Sequence, residues 1–88
     1  MVHAVVASHA AEQMRKRGIS EQQVREVLAL QEEIVEVRPG RVVVQAVIPV
    51  GDPSTNYLVR VFVDIDRTPP QVVTAYRTSR IAKYRSIS

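Results

Sequence analysis

Residues 71–84 read QVVTAYRTSRIAKY, a strand that runs into a patch of hydroxyls, cations and aromatics. Side chains alternate in an extended chain, so Val73 and Ala75 are expected on one face and Val72, Thr74 and Tyr76 on the other. One face closes a core. The other presents two hydroxyls beside Arg77, Thr78, Ser79 and Arg80, a surface that suits a phosphate. Arg77, Arg80 and the following Lys83 are therefore candidate nucleic-acid contacts.

The preceding segments supply the rest of a sheet. Residues 57–65, YLVRVFVDI, alternate Val59, Val61, Val63 and Ile65 against Leu58, Arg60, Phe62 and Asp64, and a turn from Asp66 to Pro70 joins them to the 71–84 stretch as a hairpin. Residues 41–48, RVVVQAVI, form another strand, paired through Pro39-Gly40 with the alternating segment Ile34 to Arg38. Between the hairpins, Pro49 to Asn56 is dense in Pro, Gly, Asp, Ser and Asn and reads as a loop. Beyond Thr78 the chain forms a short helix with Ile81 and Tyr84 on one side, or it frays.

Upstream the period is helical. Ser8 is a candidate N-cap for a helix from His9 to about Arg17, stopped by Gly18, with Ala10 and Met14 toward the core and His9, Gln13 and Lys16 or Arg17 on the neighbouring stripe. A second helix starts at Ser20, where Ser20 and Gln23 have capping-box spacing and Ile19 can staple onto Val24. Val24, Val27 and Leu28 form its apolar stripe, Glu21 and Arg25 an i,i+4 pair, and it ends near Leu30. Residues 1–7 are apolar and form a first strand or an arm. The expectation is one α+β domain over residues 1–88: two N-terminal helices on one face of an antiparallel sheet of about four strands, then a short C-terminal tail or helix. The other sheet face stays partly open, and Arg60, Asp64, Thr74 and Tyr76 are expected to share it.

Composition narrows the partners. Apolar residues make up 45% of the chain, enough for an aliphatic core, and no apolar run approaches a membrane span. Without cysteine neither a disulfide framework nor a thiolate metal site forms, and the start MVHAVVASHA lacks the build of a secretory signal, so a cytoplasmic address is expected. Net charge is +3, placed unevenly: residues 1–44 hold six basic and six acidic side chains, residues 45–88 six basic and three acidic. That bias favours an anionic partner such as nucleic acid.

The ordered set SHAAEQMRKRGISEQQV, a variable hairpin, LVRVFVDI and VVTAYRTSRIAKY, spanning residues 8–84, resembles a family of small bacterial and phage-associated proteins related to the RelE toxins. The resemblance implies the RelE-like fold, shared with colicin-type nucleases, and a metal-independent ribonuclease acting on messenger, transfer or ribosome-bound RNA without a cofactor. It also implies a neutralising antitoxin protein as partner, and by it His9, Arg17, Arg60, Thr74 and Tyr76 match positions that face the nucleic acid. One departure is Gln13, where the family often has an Arg before the Met.

Metal-free RNA cleavage needs a base for the 2′-hydroxyl proton, cations for the charge on phosphorus, and an acid for the leaving 5′-oxygen. His9 is the candidate base or acid, since an imidazole exchanges its proton near neutral pH. Arg60 and Arg17 are candidate phosphate holders, Tyr76 a stacking or hydroxyl-donating group, and Thr74 a group that orients a phosphate oxygen. Plainer roles stand beside these: His9 as a first-turn residue of an exposed helix, Arg15-Lys16-Arg17 as a solvated helix end, and Thr74 and Tyr76 as good strand formers. Asp64 and Asp66 belong to a turn more readily than to a metal site, and no metal is expected. Three functions remain: a toxin-type ribonuclease, a module of the same fold that binds RNA or protein without cutting, and a structural or regulatory protein that self-associates through the Val-rich strand 42–48 as an apolar sheet edge; the expected state is a monomer or a homodimer.

Overall fold

The computed structural model describes residues 3–84. The chain runs β1 (Val5–Val6), α1 (Ser8–Lys16), α2 (Glu21–Leu30), β2 (Glu33–Arg38), β3 (Arg41–Val50), β4 (Thr55–Asp64), β5 (Gln71–Thr78) and α3 (Ile81–Tyr84). It is an α+β fold with three helices and one five-stranded sheet in the order β1-β5-β4-β3-β2. Strands β2 to β5 form the expected antiparallel meander; β1 adds a fifth strand, parallel to β5 through Val5–Gln71 and Val6–Val72.

The helices start where their caps allow. Ser20 Oγ accepts from Gln23 N–H at 3.1 Å while Gln23 Oε1 accepts from Ser20 N–H at 3.0 Å, the reciprocal box that opens α2. For α1 the expected Ser8 cap does not form: Ala7 takes the N-cap position and Ser8 is the first helical residue, with no side-chain cap bond. Gly18 ends α1 at φ +70°, a conformation that a side chain makes unfavourable. Ala10, Met14, Val24, Val27 and Leu28 are all buried, so both apolar stripes turn toward the sheet as their spacing requires.

Alternation along the strands sorts the sheet into two faces. Val42, Val44, Ala46 and Ile48 on β3 and Val59, Val61 and Val63 on β4 pack under the helices. Arg41, Val43, Gln45 and Val47 pair with Asp64, Phe62, Arg60 and Leu58 on the opposite face. On β5 the expected alternation breaks. Phe62 pairs with Thr74 but Val63 pairs with Val72, so Val73 is an extra residue in a bulge. Val72 is thereby carried onto the helix-covered face with Ala75, both fully buried, instead of sharing a face with Thr74 and Tyr76.

Two further expectations change. Half of the segment from Pro49 to Asn56 is strand, since β3 continues to Val50 and β4 begins at Thr55, leaving a four-residue connection. The Val-rich strand 42–48 is interior, between β2 and β4, so it offers no edge. The edge on that side is β2, where Ile34, Val35 and Val37 are exposed and a register shift between Glu36 and Arg38 interrupts the ladder.

Candidate functional site

A row of polar side chains crosses the open face. Cross-strand register places Glu33, Gln45, Arg60 and Tyr76 opposite one another on β2, β3, β4 and β5. Gln45 is fully buried and uses both ends of its amide: Oε1 accepts from Arg60 Nε at 2.8 Å, and Nε2 donates to Glu33 and to the Tyr84 carbonyl, the latter at 3.0 Å. The Arg60 guanidinium also donates from Nη1 to the Tyr76 hydroxyl. Three rings surround it, with Arg60 Cζ 5.6 Å from the centroid of Phe62, 5.5 Å from Tyr76 and 4.7 Å from Tyr84. Phe62 stacks on Tyr76 and Tyr84 meets Tyr76 edge-on. Among the described residues no carboxylate comes within ion-pair distance of Arg60, and its guanidinium meets neutral acceptors and ring faces.

A second cluster lies along the outer edge of β5. Beyond Val72, β5 has no strand on that side, and α1 runs beside it instead. Arg17 Nη1 donates to the Ala75 carbonyl at 2.8 Å, which satisfies an edge acceptor, and to Thr74 Oγ1 at 3.2 Å. Thr74 Oγ1 donates to Gln13 Oε1 at 2.8 Å, and Gln13 Nε2 lies 3.1 Å from His9 Nε2. An amide nitrogen only donates, so the imidazole accepts at Nε2. The bonds therefore run in one direction, from guanidinium to hydroxyl to amide to imidazole, and the i, i+4 spacing of His9, Gln13 and Arg17 on α1 is what lines them up.

The structure thus gathers the five residues His9, Arg17, Arg60, Thr74 and Tyr76 around β5, but in two groups. Cross-strand register keeps Arg60, Thr74 and Tyr76 on the open face, as expected, while His9 and Arg17 lie at the edge, where the Thr74 hydroxyl also meets Arg17 and Gln13; Thr74 and Tyr76 are two residues apart, ~7 Å along an extended strand. The basic residues beyond them separate. Arg77 leaves the open face: it pairs opposite Val59 on the helix side, lies 4.9 Å from the Tyr57 ring and donates to the Gly18 carbonyl at 3.4 Å. Alternation past the bulge puts it opposite Tyr76, so the expected run of Arg77, Thr78, Ser79 and Arg80 is not one surface. Arg80 is exposed, with its backbone N–H on Thr78 Oγ1, and Lys83 Nζ sits 5.3 Å from the Tyr84 ring.

Asp64 serves a different purpose from the one its neighbourhood suggests. Its carboxylate receives Arg41 Nε at 2.6 Å and Arg41 Nη2 at 3.1 Å, directly across β3 and β4. Those bonds, against the cost of burial, hold the Asp64 carboxyl below its ordinary pKa and raise that of Arg41. Asp66 packs against the Gly40 turn. Among the described residues no group of three or more His, Cys, Asp or Glu is placed to hold a metal ion. A shallow depression lined by Val5, Arg67, Thr68, Pro69 and Gln71 lies at the β4–β5 turn, away from both clusters.

Five residues of the two clusters carry no expectation as site residues from the sequence: Glu33, Gln45, Gln13, Phe62 and Tyr84. Gln45 had a legible signal, as the one polar residue inside VVVQAVI. Its role appears only with the hairpin register that sets it against Arg60.

A family model described as "Domain of unknown function (DUF4258)" matches residues 6–77, a span that contains His9, Arg17, Arg60, Thr74 and Tyr76 and ends before α3. No curated protein and no solved structure matches the chain.

Proposed function

The chain belongs to the DUF4258 family, and we propose that it is a metal-independent ribonuclease of the RelE toxin type, with a RelE-like fold, that holds RNA on the open sheet face and the outer edge of β5. Arg60 carries this reading. A half-buried guanidinium fixed by Gln45 and Tyr76, with no carboxylate to neutralise it among the described residues, is preorganised for an anion. A phosphate diester is the anion that also uses the surrounding rings, because its bases stack on them.

The steps assign themselves to the two clusters. His9 Nε2 exchanges Gln13 for the ribose 2′-hydroxyl and takes its proton. The freed O2′ bonds to phosphorus while Arg60 and Arg17 bear the charge of the five-coordinate state. The bond from phosphorus to O5′ breaks, and the Tyr76 hydroxyl, which accepts from Arg60 and so keeps its own proton to give, protonates the leaving oxygen. The products are a 2′,3′-cyclic phosphate and a 5′-hydroxyl end. A toxin of this type works in the cytoplasm and is held in check by an antitoxin protein.

The test is incubation of a mixed RNA pool in chelator with wild type, His9→Ala and Arg60→Ala. Wild type is expected to cut with cyclic-phosphate ends and both variants to lose the activity; intact RNA with wild type, free and ribosome-bound alike, overturns the reading. One observation favours a second reading, binding without cleavage. The base nitrogen of His9 is already engaged by Gln13, at the position where the resemblance leads one to expect an Arg. Salt-sensitive RNA binding with no cut product would select it.

A further inference from the structure

We infer that the ring of Tyr84 occupies a base-stacking subsite of the open face, and that an unpaired nucleobase of a single-stranded RNA takes its place when RNA binds; the inference rests on the RNA-binding reading of Arg60. Of the three rings around Arg60, that of Tyr84 is nearest, at 4.7 Å from Cζ, and it is the only one supplied from outside the sheet. Phe62 stands on β4 with ladders on both sides, and Tyr76 stands on β5 within its ladder to β4. Tyr84 stands at the end of a four-residue helix with no buried residue, so few contacts oppose its departure.

What holds Tyr84 is also what a nucleotide replaces. Its ring lies against a guanidinium, the surface on which an unstacked base settles in single-stranded RNA recognition. Its carbonyl accepts from Gln45 Nε2 at 3.0 Å, a donor that base and ribose oxygens satisfy equally well. If Tyr84 left with no replacement, the Gln45 N–H would lose an acceptor at a fully buried residue, so the closed arrangement is favoured only while the ligand is absent. A paired base keeps its faces in the duplex stack and cannot enter. The subsite therefore selects single strands.

The experiment is fluorescence anisotropy of wild type, Tyr84→Ala and the double variant Tyr84→Ala/Arg60→Ala with a short labelled RNA of mixed sequence, as single strand and as duplex. Circular dichroism checks that each protein is folded. Removing the placeholder is expected to tighten single-strand binding by about fivefold or more, the lower end of one base stack, to leave duplex binding unchanged, and to be reversed by loss of Arg60. In the wild type, the Tyr84 to Tyr76 ring contact seen by nuclear Overhauser effect is expected to vanish on adding single-stranded RNA. Binding by wild type that Tyr84→Ala leaves equal or weakens overturns this inference alone. No RNA binding by any of the proteins overturns the RNA reading beneath it.

Discussion

Arg60 on β4 and Gln45 on β3 stand directly opposite each other and are joined by a bond from Arg60 Nε to Gln45 Oε1 of 2.8 Å. The pair has an unusual division of labour. The charged member is half-buried and the neutral member is fully buried, so the amide fixes the cation from below without cancelling its charge.

Replacing Gln45 by Leu keeps the volume and removes that support. Arg60 Nε loses its acceptor, and the donors to Glu33 and Tyr84 disappear. The expected cost is about 1–3 kcal/mol of stability, as for a buried polar group whose partners are left unpaired. Urea unfolding measures it. RNA affinity is expected to fall with it, whereas Gln45→Glu, which neutralises Arg60 but sets a carboxylate oxygen against Glu33 and the Tyr84 carbonyl in place of the amide donor, is expected to abolish RNA binding while keeping the bond to Arg60, at a further cost in stability. A Gln45→Glu protein that binds RNA as well as wild type would mean that Arg60 is structural.

The Arg41–Asp64 pair makes stability depend on acid. The Asp64 carboxyl is depressed in the folded state, first by its hydrogen bonds from Arg41 and then by the nearby positive charges. A depressed carboxylate contributes stability that is fully present above its unfolded pKa, about 3.9, and is lost as pH falls through the lower folded value. Asp64→Asn is therefore expected to be less stable than wild type at neutral pH and to lose that disadvantage below about pH 4. Denaturant titrations at a series of pH values show the convergence; parallel curves would assign the acid sensitivity elsewhere. Arg67, 4.0 Å from Asp64 and 63% exposed, is expected to add little.

Gly40 is constrained twice. Its φ is +88°, and a Cβ there would lie 2.7 Å from Asp66 Oδ2. Gly40→Ala is expected to destabilise the protein by about 1–2 kcal/mol from the left-handed backbone alone, with more from the contact. Adding Asp66→Ala is expected to recover the contact part and leave the backbone part, so a thermal-melt double-mutant cycle should show a favourable coupling. Full recovery in the double variant would mean that the turn has changed shape.

The parts of this fold that sequence makes legible are those governed by local rules. The Ser20–Gln23 box, the stripes of α1 and α2 and the alternation of β3 and β4 each depend on residues within a turn or two of one another. The parts that are not legible depend on distant partners. The bulge at Val73 follows from how β5 must register on β4, and it moves Val72 into the core although nothing in VVTAY marks it. Likewise His9, Arg17, Arg60, Thr74 and Tyr76 are individually recognisable, while their division between a face and an edge depends on α1 lying beside β5. Gln45 is hidden for a related reason: polarity in an apolar strand says that a partner exists, and only register says that it is Arg60.

Gln13 offers the sharpest test of the edge cluster. It accepts from Thr74 and faces His9 Nε2, so it both organises the imidazole and blocks it. Gln13→Arg frees that nitrogen and adds a cation beside Arg17. If RNA phosphate runs along this edge, the slope of log affinity against log salt should steepen by about one unit, with tighter binding at low salt. Gln13→Leu frees His9 without adding charge, so it is expected to leave the salt slope unchanged while raising the cleavage rate, because the base no longer competes with an internal donor. The two variants separate phosphate contact from proton transfer at one position. An unchanged slope in Gln13→Arg would confine the RNA to the Arg60 face, and an unchanged rate in Gln13→Leu would remove His9 from the chemistry.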